Sequence, residues 1–298
     1  MQGKIALAII TKNRPQELKR CLTSITKQSL LPDTILVIDN DPKCSAKVIC
    51  QNHNKQFPQI RIKYKSEQGS VPHCRNIALT QIKSTYLGFI DDDCVLENDW
   101  LKQAIIAIKT KNADYVLGKT LLLNPLNIFA LAQFAHDDYW KEFSNQIFDT
   151  KNVLLNLLSI RRHALMFDEK CQKDQYDSAD FDFNFQVKAT KLVGVFAPKM
   201  RLKHQEVTSF IRFKKRAIAR GFLANYLNKK WQLNDQLVDF GQKNRMIWLL
   251  KLIKNFKKDY QKFNRHMGDA SVFKKISATL LIRVFDHYYT LGYVEAKA

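Results

Sequence analysis

The chain has 298 residues, 46% of them hydrophobic and 26% charged, enough for one large α/β domain with an appendage or for two modest domains. Its formal net charge of +20 points to an anionic partner: nucleic acid, an anionic membrane or an anionic ligand. No apolar run approaches the ~20 residues of a membrane-spanning helix. The amino terminus shows no signal-peptide pattern, and the six cysteines form no Cys-x-x-Cys pair or zinc spacing, so a cytosolic location with reduced thiols is expected.

The first half alternates short apolar runs with amphipathic stretches. Residues 5–10 read as a buried strand, and Pro15 opens a helix whose Leu18, Cys21, Leu22 and Ile25 share one face. Strands follow at 34–39, 60–64 and 86–90, with helices at 46–55, 71–83 and 100–109. Such alternation predicts a largely parallel sheet covered on both faces, with ligands bound beyond the carboxyl ends of its strands. Those ends carry Thr11, Lys12, Asn13 and Arg14, then Asp39, Asn40 and Asp41, then Asp91, Asp92 and Asp93.

Further strand-like pieces lie at 115–123, 153–160 and 193–196, with a helix at 180–188 between the last two. Residues 124–152 carry the aromatic and acidic patch Phe134, His136, Asp137, Asp138, Tyr139 and Trp140, which suits an acceptor site or a packed loop equally. From Ser209 the chain is helical and basic, with Phe210, Phe213, Ala217 and Phe222 on one side, then helices at 246–263 and 272–289. Residues 201–298 hold 21 Lys and Arg against 7 Asp and Glu, which is +14 of the total +20. A division at 208/209 is therefore expected, with a basic α-helical region after it. Its helices either lie on an anionic bilayer surface or cover the first domain. Zinc-finger spacing, RNA-recognition strand motifs and a helix-turn-helix are missing, which argues against nucleic acid.

Three adjacent carboxylates repel one another. A hard divalent cation that bridges carboxylates to a diphosphate is one reason to hold them together, and a solvated acidic turn is the other reading. The blocks IALAIITKNRPQELKRCLTSITKQSLLPDTILVIDN (5–40), EQGSVPHCRNIAL (67–79), YLGFIDDDCVLENDWL (86–101) and SIRRHALMFDE (159–169) resemble glycosyltransferase family 2, whose members are inverting enzymes of the GT-A fold. The resemblance covers about two-thirds of the chain as ordered blocks, which is more specific than any single motif.

The resemblance implies an α/β fold of the GT-A nucleotide-diphospho-sugar transferase type over residues 1–208. It implies transfer of a sugar from a nucleotide diphosphate, by default a UDP-sugar, to a hydroxyl on a glycan or lipid-linked acceptor in bacterial-type cell-surface synthesis. Thr11, Asn13 and Arg14 would touch the nucleotide, Asp39 its base, and Arg75 the nucleotide pocket or diphosphate. Asp91 and Asp93 would be the acids of the Asp-x-Asp motif, Asp91 toward the ribose and Asp93 on Mn²⁺ or Mg²⁺, with Asp92 between them. His204 would complete the metal site. Asp180 would be the catalytic base, and Asp182 is the second candidate. The chain departs from the family pattern at Cys94, where many members carry a further acid, and at Ala179, which replaces the Glu of the Glu-Asp motif. The rival reading is a catalytically idle binding protein of the same fold. A sugar nucleotidyltransferase would want a glycine-rich loop after the first strand, and residues 10–16 contain no glycine.

Overall fold

A computed structural model of the chain describes residues 3–143, 149–233 and 245–296, with the side chains of 140–143 and 245–253 left aside. It divides into two compact units. The first consists of Met1–Leu121, Ile147–Glu169 and Ala179–His204, and the second of Leu122–Gln146, Lys170–Ser178 and Gln205–Ala298.

The first unit begins β1 (Ile5–Thr11), α1 (Pro15–Thr26), β2 (Thr34–Asp39), α2 (Lys47–Gln56), β3 (Arg61–Ser66), α3 (Val71–Gln81), β4 (Tyr86–Asp91), β5 (Cys94–Leu96), α4 (Trp100–Thr110) and β6 (Tyr115–Leu122). β1 is buried along nearly its whole length, as expected of an interior strand covered on both faces. α1 starts at Pro15 in its first turn and turns Leu18, Cys21, Leu22 and Ile25 into the core. Fully burying a Leu or Ile side chain is worth roughly 1.5–3 kcal/mol, so this face alone fixes α1 against the sheet. α3 is capped by Ser70, whose hydroxyl accepts from the amide of His73.

After α5 (Ile128–Phe143), which belongs to the second unit, the first unit resumes with β7 (Val153–Asn156) and α6 (Leu157–Arg162). The strand expected over 153–160 stops at Asn156, because its side chain accepts from the Leu158 amide and caps a helix. Beyond β8 (Gln172–Lys173) and β9 (Tyr176–Asp177), a small antiparallel pair in the second unit, come α7 (Ala179–Lys188) and β10 (Gly194–His204).

The main sheet runs β3-β2-β1-β4-β7-β6-β10-β5. β3, β2, β1 and β4 are mutually parallel, whereas β7 is antiparallel to β4 and β6, and β5 to β10. The parallel half places the carboxyl ends of β1, β2 and β4 side by side.

The second unit is helical: α5, then α8 (Phe210–Trp231), α9 (Arg245–Asn264) and α10 (Val272–Glu295). Its core joins Leu131, Ala132 and Ala135 of α5 to Phe213, Phe263, Ile282 and Phe285. α8 and α10 approach backbone to backbone at two glycines. A Cβ on Gly221 would fall on the carbonyl oxygen of Tyr289, and one on Gly292 on that of Ile218.

The division differs from a single cut at 208/209. Leu122–Gln146 go with the helical unit because α5 buries apolar residues among α8, α9 and α10, and Lys170–Ser178 because β8 and β9 lie against α8. The patch from Phe134 to Trp140 is accordingly helix, not loop. Its His136 and Asp137 belong to a network of charges, and Tyr139 packs edge-on against Phe263. The Trp140 side chain lies outside the described residues. Among the described residues no helix is long and apolar enough to cross a membrane.

Candidate active site

Strand register assembles the site. Thr11 pairs with Asp39 across β1 and β2, and Ile10 pairs with Asp91 across β1 and β4. The residues following these strands therefore meet at one edge. β10 reaches the same edge from the other direction, with His204 opposite Cys94, one residue beyond Asp93.

The outer acids of the triplet and the histidine converge. His204 Nε2 lies 3.2 Å from Asp93 Oδ1. One ligand atom each from Asp91, Asp93 and His204 lies within 4.8 Å of the others. Two carboxylates and an imidazole suit Mn²⁺, and the carboxylates also suit Mg²⁺, so the residues present fit a divalent cation. Arg75 projects from α3 with its side chain buried, Nη2 3.6 Å from Asp91 and the guanidinium 5.7 Å from the Phe167 ring centroid. Burial pushes the Asp91 carboxyl up, and Arg75 opposes that shift.

Asp92 faces the other way. β4 ends at Asp91 and β5 begins at Cys94, so Asp92 lies in the turn between them, with its side chain directed toward β1. It is buried, accepts from Thr11 Oγ1 at 2.7 Å, and accepts from Arg14 Nη1 at 3.1 Å. Burial raises its carboxyl to about 7, against the pull of Arg14. Thr11 is buried with it. Thr11, Arg14 and Asp92 thus form a brace between the ends of β1 and β4. Arg14 also donates to Asp93 Oδ2 at 2.9 Å, so its half-exposed guanidinium joins the brace to Asp93.

Asp39 is likewise turned inward. Its oxygens accept from the amides of Asp41 and Ala46 at 3.1 and 3.0 Å, and from the Tyr64 hydroxyl at 3.1 Å. The side chain is closed off from solvent, and its bonds shape the loop after β2. Asn13 is exposed, with φ of 53°, a left-handed conformation that Asn tolerates better than most residues. Asp180 sits in the first turn of α7, half-exposed, with Oδ1 accepting from the Phe181 amide at 3.0 Å. Asp182 is fully buried and accepts from Gln186 at 2.7 Å, which removes it as an accessible base.

Cys94 is buried on β5. Burial foremost, then the charges of Asp93 and Asp91, push its thiol well up and keep it protonated. Two contributors were missed from sequence. Asn40 donates to the Gly69 carbonyl at 2.7 Å and accepts from the Gly69 amide at 3.3 Å, fixing the turn that launches α3 and Arg75. Lys151 pairs with Asp149 at 3.3 Å, and its charge acts on Asp91. The polar triplet after β2 hinted at the first, but nothing in the pattern around Lys151 marked it.

Residues 6–127 match the family model described as Glycosyl transferase family 2. The succinoglycan biosynthesis protein ExoM of Rhizobium meliloti is 26% identical over 116 residues, 38% of this chain and 38% of that protein. The curated relatives are matched over 39%, 38% and 22% of their own lengths, so the chain spans about two fifths of them or less. Two solved structures share the fold. A mannosyltransferase from Pyrobaculum calidifontis, in complex with GDP-Man and Mn²⁺, superposes with a TM-score of 0.63 at 12% identity, covering 100% of this chain and 89% of that one. TarS 1-349 of S. aureus in complex with UDP-GlcNAc gives 0.53 at 15% identity, covering 97% and 92%. Residues 6–127, which carry the ordered motifs and the parallel edge, thus match glycosyltransferase family 2, and the chain shares the GT-A fold of the two solved structures.

Proposed function

We propose that the chain is an inverting, divalent-cation-dependent glycosyltransferase that moves a sugar from a nucleotide diphosphate, a UDP-sugar by first choice, to a hydroxyl of a glycan or lipid-linked acceptor in cell-surface glycan synthesis. One observation carries this reading: the convergence of Asp91, Asp93 and His204 beside Arg75 at the carboxyl edge of the parallel strands. The named ligands of the two structural neighbours and the role in ExoM's name support the donor class and the product class.

Asp91, Asp93 and His204 would hold Mn²⁺ or Mg²⁺. The chemistry a cation would supply there is positive charge to offset that of a diphosphate leaving group. The chain's own residues do the rest. Arg75, buried and held against Phe167, sets a fixed positive charge at the site. Asp180 accepts the proton of the acceptor hydroxyl as its oxygen attacks the anomeric carbon. The bond from that carbon to the diphosphate oxygen breaks, its electron pair leaves on the diphosphate, and attack from the opposite face inverts the centre. No sugar–enzyme bond forms.

The test is a panel of nucleotide sugars offered with Mn²⁺, Mg²⁺ or EDTA, read by binding and by slow donor hydrolysis, which needs no acceptor. One donor should bind and turn over only with metal, and Asp93→Ala should abolish both. Absence of binding for every nucleotide and metal would overturn the proposal in favour of an idle binding protein.

A further inference from the structure

α10 buries Ala278, Ile282, Phe285 and Tyr293 on one side. Its opposite side carries Phe273, Ile276, Leu280 and Leu291, all exposed, at the spacing of one helical face. Phe273 is 79% exposed and the adjacent Val272 65%. The stripe is continuous from Phe273 to Leu280, about 10 Å of helix at 1.5 Å per residue, with Leu291 further along the same face. A surface helix ordinarily gives that face to polar residues. The start of α8 extends the surface: Ile211 is 67% exposed, and the Phe210 ring lies 6.2 Å from that of Tyr288 on α10.

The charges around this unit are sorted. Asp137 is tied to Arg220, Glu206 to Arg216, and Asp259 and Asp286 to Arg283. Over the described part of 205–296, Arg212, Lys215, Lys229, Lys230, Lys254, Lys257, Lys258 and Arg265 are exposed, against only Asp269 and Glu295 among the acids. Lys214 lies 4.8 Å over the Tyr288 ring, and Lys274 and Lys275 follow Phe273 directly.

We infer that the outward face of α10, with the start of α8, docks on an anionic lipid bilayer. The apolar stripe enters the interface and the surplus lysines and arginines meet the headgroups. A nucleic acid or an acidic protein would answer the cations but leave the Phe273, Ile276 and Leu280 stripe unmatched, whereas a bilayer answers both. The inference is independent of the proposed reaction, because it concerns a surface of the second unit alone.

The test uses the full chain and vesicles containing neither donor nor acceptor: phosphatidylcholine with 30% phosphatidylglycerol, and phosphatidylcholine alone, read by co-sedimentation. The wild type should bind the anionic vesicles at least tenfold better than the neutral ones, and more weakly in 0.5 M salt. Phe273→Ser combined with Ile276→Ser should lower that binding at least tenfold with an unchanged melting temperature. Ile106→Ser, an exposed apolar residue of the first unit, should have no effect. Three results would each overturn the inference: no binding to anionic vesicles at low salt, equal binding by the double variant, or self-association through Phe273 without vesicle binding.

Discussion

Asp137 is the centre of the charge network in the helical unit, and Asp137→Asn measures what that network is worth. The carboxylate accepts from Arg220 Nη1 and Nη2 at 2.5 and 3.1 Å, from Gln133 at 2.8 Å and from His136 at 3.2 Å, with Arg216 3.7 Å away. Its side chain is 14% exposed. Asparagine keeps the shape and one carbonyl acceptor but removes the charge, leaving two guanidinium groups and an imidazole crowded together. Breaking a buried ion pair from one side costs about 3–5 kcal/mol. The retained carbonyl bond and the remaining acids, Glu206 on Arg216 and Asp286 beside His136, put the expectation at the lower end, about 3 kcal/mol. At roughly 2–4 °C per kcal/mol for a unit of this size, the melting temperature should fall by about 6–12 °C. Circular dichroism with heating reads it, and near-native binding of nucleotide sugar at 20 °C shows the first unit intact. A fall under about 2 °C would refute the reasoning, because the network would then be decoration on a helix bundle held by its apolar core.

Three further outcomes follow from the same geometry. Asp93→Asn and His204→Ala should each weaken Mn²⁺ binding at least about tenfold, measured without nucleotide by electron paramagnetic resonance titration; unchanged affinity in both would remove the cluster as the metal site. Asp180→Asn should lower turnover by about 10²–10⁴-fold while leaving donor affinity unchanged, so loss of donor binding in a folded variant would reassign it. Stability should also depend on pH through His136. Burial pulls its pKa down, but the bonds to Asp137 and Asp286 more than offset this and raise it. That contribution is complete below the unfolded value of about 6.5 and lost as pH rises through the higher folded value. Asp137 and Asp286 are held below the ordinary range despite burial, by Arg220 and by His136 respectively, so their contribution appears above about 3.9 and is lost as pH falls through their folded values. The melting temperature should therefore decline between pH 6.5 and 9, and His136→Gln should flatten that decline; an equal slope in the variant would count against it.

The interior of the parallel half was legible because β1, β2 and β4 are largely buried and read as continuous apolar runs, with β2 spanning Thr34–Asp39 as its pattern indicates. Legibility failed where tertiary pairing overrode the local pattern. β10 runs to His204 through Pro198, Lys199, Arg201 and Lys203, and only every second residue near its end, Met200, Leu202 and His204, is buried. Read alone, such a stretch is a polar loop; pairing with β5, itself only Cys94–Leu96, makes it a strand. α5 was hidden for a different reason. Its cap, Asn127, accepts from the amides of Phe129 and Ala130, but the helix is apolar and aromatic around much of its circumference because it packs inside a bundle. Without a clean amphipathic period, the segment carried no directional signal.

The acidic triplet shows how a fold gives three adjacent acids different surroundings. Repulsion among Asp91, Asp92 and Asp93 is a sound reason to expect a cation, yet the fold relieves part of it without one. Asp92 is turned toward Thr11, and burial pushes its carboxyl up, which favours the uncharged form. Arg14 spans Asp92 and Asp93 with one nitrogen, 3.1 and 2.9 Å from the two carboxylates. The brace therefore supplies most of a counter-charge to the acids that face inward and sideways. What it leaves is the pair that shares an outlook, Asp91 and Asp93, with His204 brought in by the pairing of β10 with β5. A motif counts three carboxylates, but the turn between β4 and β5 divides them, with Asp91 and Asp93 facing His204 and Asp92 facing Thr11. The histidine, 111 positions after Asp93 in the numbering, becomes their neighbour only through an antiparallel strand pairing that no local pattern announces.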